Sequence, residues 1–427
     1  MGKTTLALRY AHDNVDASRL VWWIRADTAD SITADLAELA RRIRGGHGPA
    51  DQTMDDAAVW AVTWLQAHPG WLLVFDNAME PAEIHRVIGQ LRQTGRFLIT
   101  TRLQRGWNTT LTPLPVLEPE AAQRLLKGLA GVSEDDVDEA RALAEDLGYL
   151  PLALRQAGAY IAQTRHTVAH YRELFASRPG RMMSAAPGTD PDRTLARVWR
   201  ITLDVLQERE PRAVDVLRVI ARYAPTGVPC DLIEPYVDDP LDLPEILGLL
   251  DDYNMISYRG PAVDVHRMVQ MMARTPEPDD PHRTEDLVAA ARDRAVDLLL
   301  AALPADPEDD AWKAPVWRRN LPHVEALFDK TRAEPDNEST ARLAARTGRF
   351  LRTQGRRRSA LDLLKRATSA SARILGEEDP STLVVKRWSA DAYREFGEFD
   401  RAVRLAESVV EDFERTLGAT SPETRKA

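Results

Sequence analysis

Apolar residues follow two rhythms along this chain, and the rhythm changes near Glu118. In the first part, three compact runs rich in Val, Ile, Trp and Phe read as buried strands: Arg19-Leu-Val-Trp-Trp-Ile-Arg25, Trp71-Leu-Leu-Val-Phe-Asp-Asn77 and Arg96-Phe-Leu-Ile-Thr-Thr-Arg102. Between them the apolar spacing is helical. Thr4 to Asn14 reads as a helix, and residues 31–44 place Ile32, Leu36, Leu39 and Ile43 on one face, with Ser31 as the N-cap. Gly45 to Pro49 breaks that helix. Two more are predicted near Asp55 to Ala67 and Pro81 to Arg92, and a further strand near residues 110–116. Strands alternating with helices at this spacing predict a parallel α/β sheet.

After Glu118 the pattern is helical almost throughout. Pro151, in Leu147-Gly-Tyr-Leu-Pro-Leu-Ala-Leu154, begins a new helix. Residues 177–193 are rich in Pro, Gly and Ser and read as a linker. Helices at about 194–207, 210–223 and 243–253 precede two short strands, Ile256 to Arg259 and Ala262 to Val265, joined by Gly260-Pro261. Helices followed by a small hairpin suggest a winged helix. A second break at 275–284 precedes a helix at 285–303. Farther on the chain repeats itself. Leu375-Gly376…Pro380-Ser381-Thr382 recurs as Leu417-Gly418…Pro422-Glu423-Thr424, an offset of 42 that Gly355 and Gly397, and Ala360 and Ala402, share. Each unit is helix, turn at Gly, helix, Leu-Gly stop, the form of a stacking helical repeat. The resulting division is 1–116, an α/β domain; 117–176, a small helical domain; 177–193, a linker; 194–274, the winged helix; 275–335, a helical linker region; and 336–427, the repeats.

Composition narrows this picture. At 427 residues, with 44% hydrophobic and 29% charged residues, the chain has the make-up of an ordinary soluble protein with several domains. Its single cysteine, Cys230, rules out a disulfide framework and points to a reducing, cytoplasmic setting. No run approaches the length of a membrane span. A net charge of −10 argues against a dominant nucleic-acid surface.

The candidate chemistry begins at the first residues. Gly2-Lys3-Thr4-Thr5 has the form of the second half of a phosphate-binding loop, in which backbone N–H groups wrap phosphates, the Lys reaches their oxygens and the hydroxyl binds Mg²⁺. Asp76 follows four apolar residues at a strand end, where P-loop NTPases hold the acid that organises Mg²⁺. As a plain alternative it caps the next helix. Arg102 closes the third strand at the edge that faces ligand in parallel sheets; its plain alternative is a solvated loop residue. Pro151 reads most simply as a helix start, His266 as a satisfied core group, and Trp22 and Trp23 as core residues.

Taken in order, Gly-Lys-Thr-Thr, VWWIRAD, LLVFDN, LITTR, LGYLPLAL and VHRMVQ resemble the NB-ARC family of STAND-class P-loop ATPases, and LGEEDPSTL with the 42-residue period resembles tetratricopeptide repeats. The resemblance is to bacterial, particularly actinobacterial, members. It implies a nucleotide-binding domain, a helical domain and a winged helix closing over ADP, with slow hydrolysis and the repeats as a protein-binding sensor. Assembly on activation is also implied. By the same resemblance Lys3 would neutralise the β/γ-phosphates, Thr4 and Asp76 would hold Mg²⁺, and Gly2 and Thr5 would complete the loop. Arg102 would sense the γ-phosphate, Pro151 would contact the adenine side, and His266 the ADP β-phosphate. The chain departs from the family pattern at three places. Asn77 stands where a second acid is common, which argues against efficient activation of water. Arg267 replaces the Asp of the Met-His-Asp motif. The glycines that precede Gly2 in the family are missing, and Met1 falls where a Val is expected.

The last departure suggests a gene model that begins inside the P-loop, or a truncated remnant. In the family the first strand lies inside the sheet. Without it a sheet of three well-paired strands is expected, Arg19 to Arg25, Trp71 to Asp76 and Arg96 to Thr101, while residues 110–116 lose their partner. The leading functional reading is a nucleotide-regulated signalling switch with a protein-binding arm. A transcriptional regulator using the winged helix on DNA, and a scaffold with an inactive nucleotide site, are the alternatives. For the Arg356-Arg357-Arg358 run a solvated turn is the simplest expectation.

Overall fold

The computed structural model describes residues 2–45, 53–91, 95–103, 105–109, 111–131, 136–177, 191–305, 314–331, 334–418, 420–421 and 424–425. The N-terminal part runs α1 (Lys3–Asp13), β1 (Leu20–Arg25), α2 (Ala29–Ile43), α3 (Met54–Ala67), β2 (Trp71–Ala78), α4 (Pro81–Gln90) and β3 (Arg96–Thr101). The strands form a parallel sheet in the order β1-β2-β3, with Leu20 opposite Trp71 and Leu72 opposite Arg96. This is the expected three-stranded sheet, and residues 111–118 carry no strand.

Alternation along β2 explains the layering. Trp71, Leu73 and Phe75 point to one face, against Ile32, Leu36 and Leu39 of α2, Ala61 and Leu65 of α3 and Ile84 of α4. Leu72 and Val74 point to the other, against Ala7 and Ala11 of α1. Burial on both faces is why β2 reads as a continuous apolar run. Trp22 joins the first face, its indole N–H donating to the Asp35 carbonyl at 3.0 Å, and Trp23 joins the second. Both tryptophans serve the core. One expectation is corrected here. The N-cap of α2 is Thr28, whose Oγ1 accepts from the Ser31 N–H at 3.1 Å, so Ser31 lies inside the first turn. Thr28 competes successfully because an acid, Asp30, then falls in that turn and complements the helix dipole. Of the predicted break at Gly45 to Pro49, residues 46–49 lie outside the described residues.

The helical part follows with α5 (Pro119–Ala130), α6 (Val137–Asp146), α7 (Pro151–Thr164), α8 (Val168–Ser177), α9 (Pro191–Arg209) and α10 (Pro211–Ile220). Pro151 does begin a helix. The predicted linker lies mostly outside the described residues, and α9 has begun by Pro191. Next come β4 (Val228–Pro229), α11 (Cys230–Ile233), α12 (Asp242–Asp252), β5 (Ser257–Arg259), β6 (Ala262–Asp264) and α13 (Arg267–Arg274). β5 and β6 form the expected hairpin, and β4, which sequence reading missed, pairs antiparallel with β6. The predicted break at 275–284 is ordered. Arg283 holds Asp280 at 2.8 Å, and the His282 ring lies 2.7 Å from Asp204.

The chain continues with α14 (Glu285–Ala302), α15 (Ala314–Lys330), α16 (Glu338–Thr353), α17 (Arg357–Leu375), α18 (Pro380–Phe396) and α19 (Phe399–Leu417). The last four are two helix pairs turning at Gly355 and Gly397, as the 42-residue offset predicts. One apolar core runs from Ala122 in α5 to Val385 in α18, so α14 and α15 are packed members of it. Trp317 of α15 stacks on Phe350 of α16 at 4.8 Å between ring centres.

The Arg356 to Arg358 run is solvated only in part: Arg357 and Arg358 are exposed, but Arg356 is not. Arg356 is 4% exposed and ion-pairs with Asp30 of α2 and Glu325 of α15. The α/β part therefore rests directly on the first repeat, where the Met54 N–H donates to the Gln354 carbonyl at 3.3 Å.

Close packing inside the first helix pair gives a contrast to test. A Cβ at Gly348 of α16 would lie 2.7 Å from Leu364 Cγ, whereas at Gly128 of α5 it would meet nothing within 4 Å. Gly348→Ala is expected to lower unfolding stability by about 1–3 kcal/mol. Gly128→Ala should raise it by about 0.5–1 kcal/mol. Urea unfolding followed by circular dichroism distinguishes the two.

Candidate functional site

The start of α1 has a positive end that no acidic residue of its first turn offsets. Gly2 caps the helix with φ 85°, in the left-handed region that favours glycine, and contributes no side-chain cap. The Leu6 N–H makes the first helical bond, to the Gly2 carbonyl at 2.9 Å. The N–H groups of Lys3, Thr4 and Thr5 precede it and have no partner within the helix. No acidic residue stands in this turn to offset the helix dipole, so its positive end and the Lys3 ammonium act together.

The same turn is anchored to the sheet through Asp76. The Thr4 hydroxyl donates to Asp76 Oδ1 at 2.9 Å, and the Thr100 hydroxyl donates to the same oxygen at 2.6 Å. Thr100 Oγ1 in turn accepts from the Asn77 N–H at 2.8 Å. Asp76 is 6% exposed, so its carboxylate needs such donors to remain inside. The backbone aids the arrangement. Between Phe75 and Ala78 the register with β3 shifts, and Asn77 takes φ 59°, which Asn tolerates better than most side chains. The bulge turns the end of β2 so that Asp76, Thr100 and Thr4 converge.

The other predicted residues lie around this centre at different removes. Arg102 is exposed just beyond β3, while its neighbour Thr101 donates to the Ala78 carbonyl at 2.8 Å. Thr5 is exposed on the first turn of α1. Pro151 stands at the first position of α7. One turn later Arg155 donates to Asn254 Oδ1 at 2.8 Å, tying α7 to the end of α12. His266 caps α13, its Nδ1 accepting from the Met268 N–H at 3.2 Å. Part of the ring still meets solvent. Protein crowding nevertheless strips much of its hydration, and with the positive charges of Arg102, Arg155 and Arg267 this pushes its pKa down to about 4. The ring is then neutral at pH 7. Because Nδ1 accepts, Nε2 carries the proton and is the ring's donor.

Sequence reading missed three contributors. Thr100 was visible only as one of two threonines in LITTR, and Arg155 as a charge in an apolar stretch. Asp27, at the end of VWWIRAD, lies 3.7 Å from Arg267, and its Oδ1 is buried without a hydrogen-bond partner. Arg267, the departure from the family pattern, thus faces an acid on the α/β part. Among the described residues no three His, Cys, Asp or Glu side chains converge. A cation held by Thr4 and Asp76 has to be completed by oxygens of a bound ligand and water.

The depressed His266 pKa has a measurable consequence. Its folded value lies below the ordinary value of about 6.5. Between the two the unfolded chain binds more protons, so this group's contribution to stability is present above pH 6.5 and lost as pH falls towards 4. In an NMR titration the His266 ring is expected to remain neutral at pH 5. A midpoint near 6.5 would show that the arginines and the crowding do not act on it.

Residues 340–381 and 390–423 match the family model for the tetratricopeptide repeat. A nucleotide-binding leucine-rich repeat (NLR)-like protein of the fungus Hyaloscypha variabilis is 24% identical over 90% of this chain and 41% of its own length. A solved STAND protein with a tetratricopeptide repeat sensor, from Pyrococcus horikoshii, is 15% identical at a TM-score of 0.43, over 97% of this chain and 60% of that one. The chain thus spans about two fifths of the length of its NLR-like relative. The matched segments place tetratricopeptide repeats at residues 340–381 and 390–423, and over most of its length the chain is similar to the NLR-like protein.

Proposed function

We propose that this protein is a nucleotide-regulated signalling switch whose repeats bind a protein partner. The observation that carries the reading is the Thr4–Asp76 hydrogen bond at the mouth of α1, which sets a hydroxyl and a carboxylate beside unpartnered helix N–H groups. That donor set suits a nucleotide phosphate with Mg²⁺, a hard cation that takes hydroxyl, carboxylate and phosphate oxygens. Mg²⁺ would offset phosphate charge there. Lys3 and the N–H groups following Gly2 would bind the phosphates. Thr100 would orient Asp76. Arg102 lies at the same edge of the sheet, with a fixed charge for the terminal phosphate. Neutral His266 would donate from Nε2 to a phosphate oxygen, and in doing so hold the helix–hairpin segment, read as a winged helix, closed over the nucleotide. Pro151 would border the base.

Asn77 supplies no carboxylate to activate water, so hydrolysis is expected to be slow and exchange of ADP for ATP to set the state. Arg356 itself is not offered to DNA, since its guanidinium is already paired with two acids. Among the described residues no helix is long and apolar enough to cross a membrane.

Fluorescent ADP binding tests the proposal. Lys3→Ala is expected to weaken binding about tenfold or more, the loss of one charge-assisted contact. Asp76→Asn should remove the dependence on Mg²⁺ while leaving a metal-free component. Binding that survives Lys3→Ala unchanged would remove α1 from the site.

A further inference from the structure

A cavity of about 390 Å³ lies where α16, the end of α17 and the start of α18 meet. None of the residues placed around α1 and Asp76 lines it. Its lining is mostly apolar. Ala341 and Ala345 of α16 are buried there, Ile374 of α17 is 36% exposed, and Trp388 of α18 stands beside them. The space follows from the two alanines, since the 42-residue offset sets the larger Leu383 and Arg387 at the corresponding places of α18. The Arg349 guanidinium lies over the Trp388 ring at 4.3 Å and holds that wall in place.

Two cations stand in this apolar lining. Arg342 and Arg346 both border the cavity, one helical turn apart on α16. Among the described residues neither is ion-paired with a carboxylate, and Arg342 makes no hydrogen bond. Arg346 Nη1 donates to the Leu300 carbonyl at 3.2 Å, which fixes its guanidinium at the cavity. Like charges at this spacing repel along a helix. Burial and the Arg342 charge together push the Arg346 pKa down. An anion between the two guanidinium groups relieves that repulsion. A single acid, Glu338, borders the cavity one turn earlier, so the lining keeps a net positive charge. An apolar hollow of this size with a few fixed polar groups has the form of a small-ligand site.

We propose that this cavity binds a small monocarboxylic acid with an apolar body. The carboxylate accepts hydrogen bonds from Arg342 and Arg346, and the body fills the space along Ala341, Ala345 and Ile374 against Trp388. Glu338 repels a second negative charge, which disfavours a dicarboxylate. Walls drawn from three helices suit one compact apolar body, and the occupant is a free acid. The site rests neither on the nucleotide reading nor on protein binding by the repeats.

Sodium decanoate titrated into the full chain tests this by calorimetry, with methyl NMR of Ile374 and Val384 reporting the place. One saturable site is expected, with shifts at both side chains. No saturable binding, or shifts only at other residues, would overturn the proposal. Arg342→Gln disturbs no hydrogen bond of the folded chain, and should weaken decanoate about tenfold, the effect of one charge-assisted contact. Decan-1-ol, with the same body and no charge, should also bind about tenfold more weakly. Unchanged affinity in Arg342→Gln, or equal affinity for the alcohol, would overturn the carboxylate assignment. Decanedioate is expected to bind more weakly than decanoate, and equal affinity would overturn the restriction to one carboxylate. Ala345→Leu fills the hollow and should abolish binding, with circular dichroism melting as the check that it folds. Decanoate binding that persists in the folded variant would remove the acid from this cavity, and if that variant does not fold, Arg342→Gln decides.

Discussion

The buried carboxylate of Asp76 is the constraint around which the α/β part is arranged. A strand covered on both faces ends in a charge, and that charge is accommodated because two hydroxyls reach one of its oxygens. Thr4 comes from α1 and Thr100 from β3, so satisfying one acid fixes the start of a helix against two strands. The bulge at Asn77 belongs to the same solution, since its N–H is bonded to Thr100. An apolar residue at 76 would avoid the desolvation cost, but would remove the tether of Thr4 and leave the start of α1 without it, the rest of the helix being held by Ala7, Ala11 and the Arg96–Asn14 hydrogen bond.

Charge performs a different task between the larger parts. A single apolar core joins the central helices to the repeats. Where the α/β part meets them, arginine–acid pairs, Arg267 with Asp27 and Arg356 with Asp30, join the packing of Met54 on that core. Apolar contact is non-directional and tolerates sliding, whereas a paired guanidinium has a defined register.

Much of this was legible beforehand. Runs such as WLLVFDN announced the strands because burial on both faces leaves no polar position. The 42-residue offset announced the repeats because each helix pair must present the same apolar positions to the next. Asp76 and Thr4 could be paired in advance because a phosphate loop and a strand-end acid have a known relation. Arg356 misled, since three successive arginines resemble a solvent-facing run. Its burial depends on Asp30, more than 300 residues away, and nothing local encodes that. The approach of Arg267 to Asp27 is likewise encoded by nothing local.

The sequence by itself determined the elements, their layers and the two residues at the heart of the candidate site, because the period of apolar residues and the chemistry of a phosphate loop are local properties. Tertiary structure alone decided that Thr100 completes the Asp76 network, that the His266 ring caps α13, and that the first repeat meets the β1–α2 turn. The first and the last of these depend on which distant surfaces meet, and a charged side chain carries no mark of its partner until folding removes both from water.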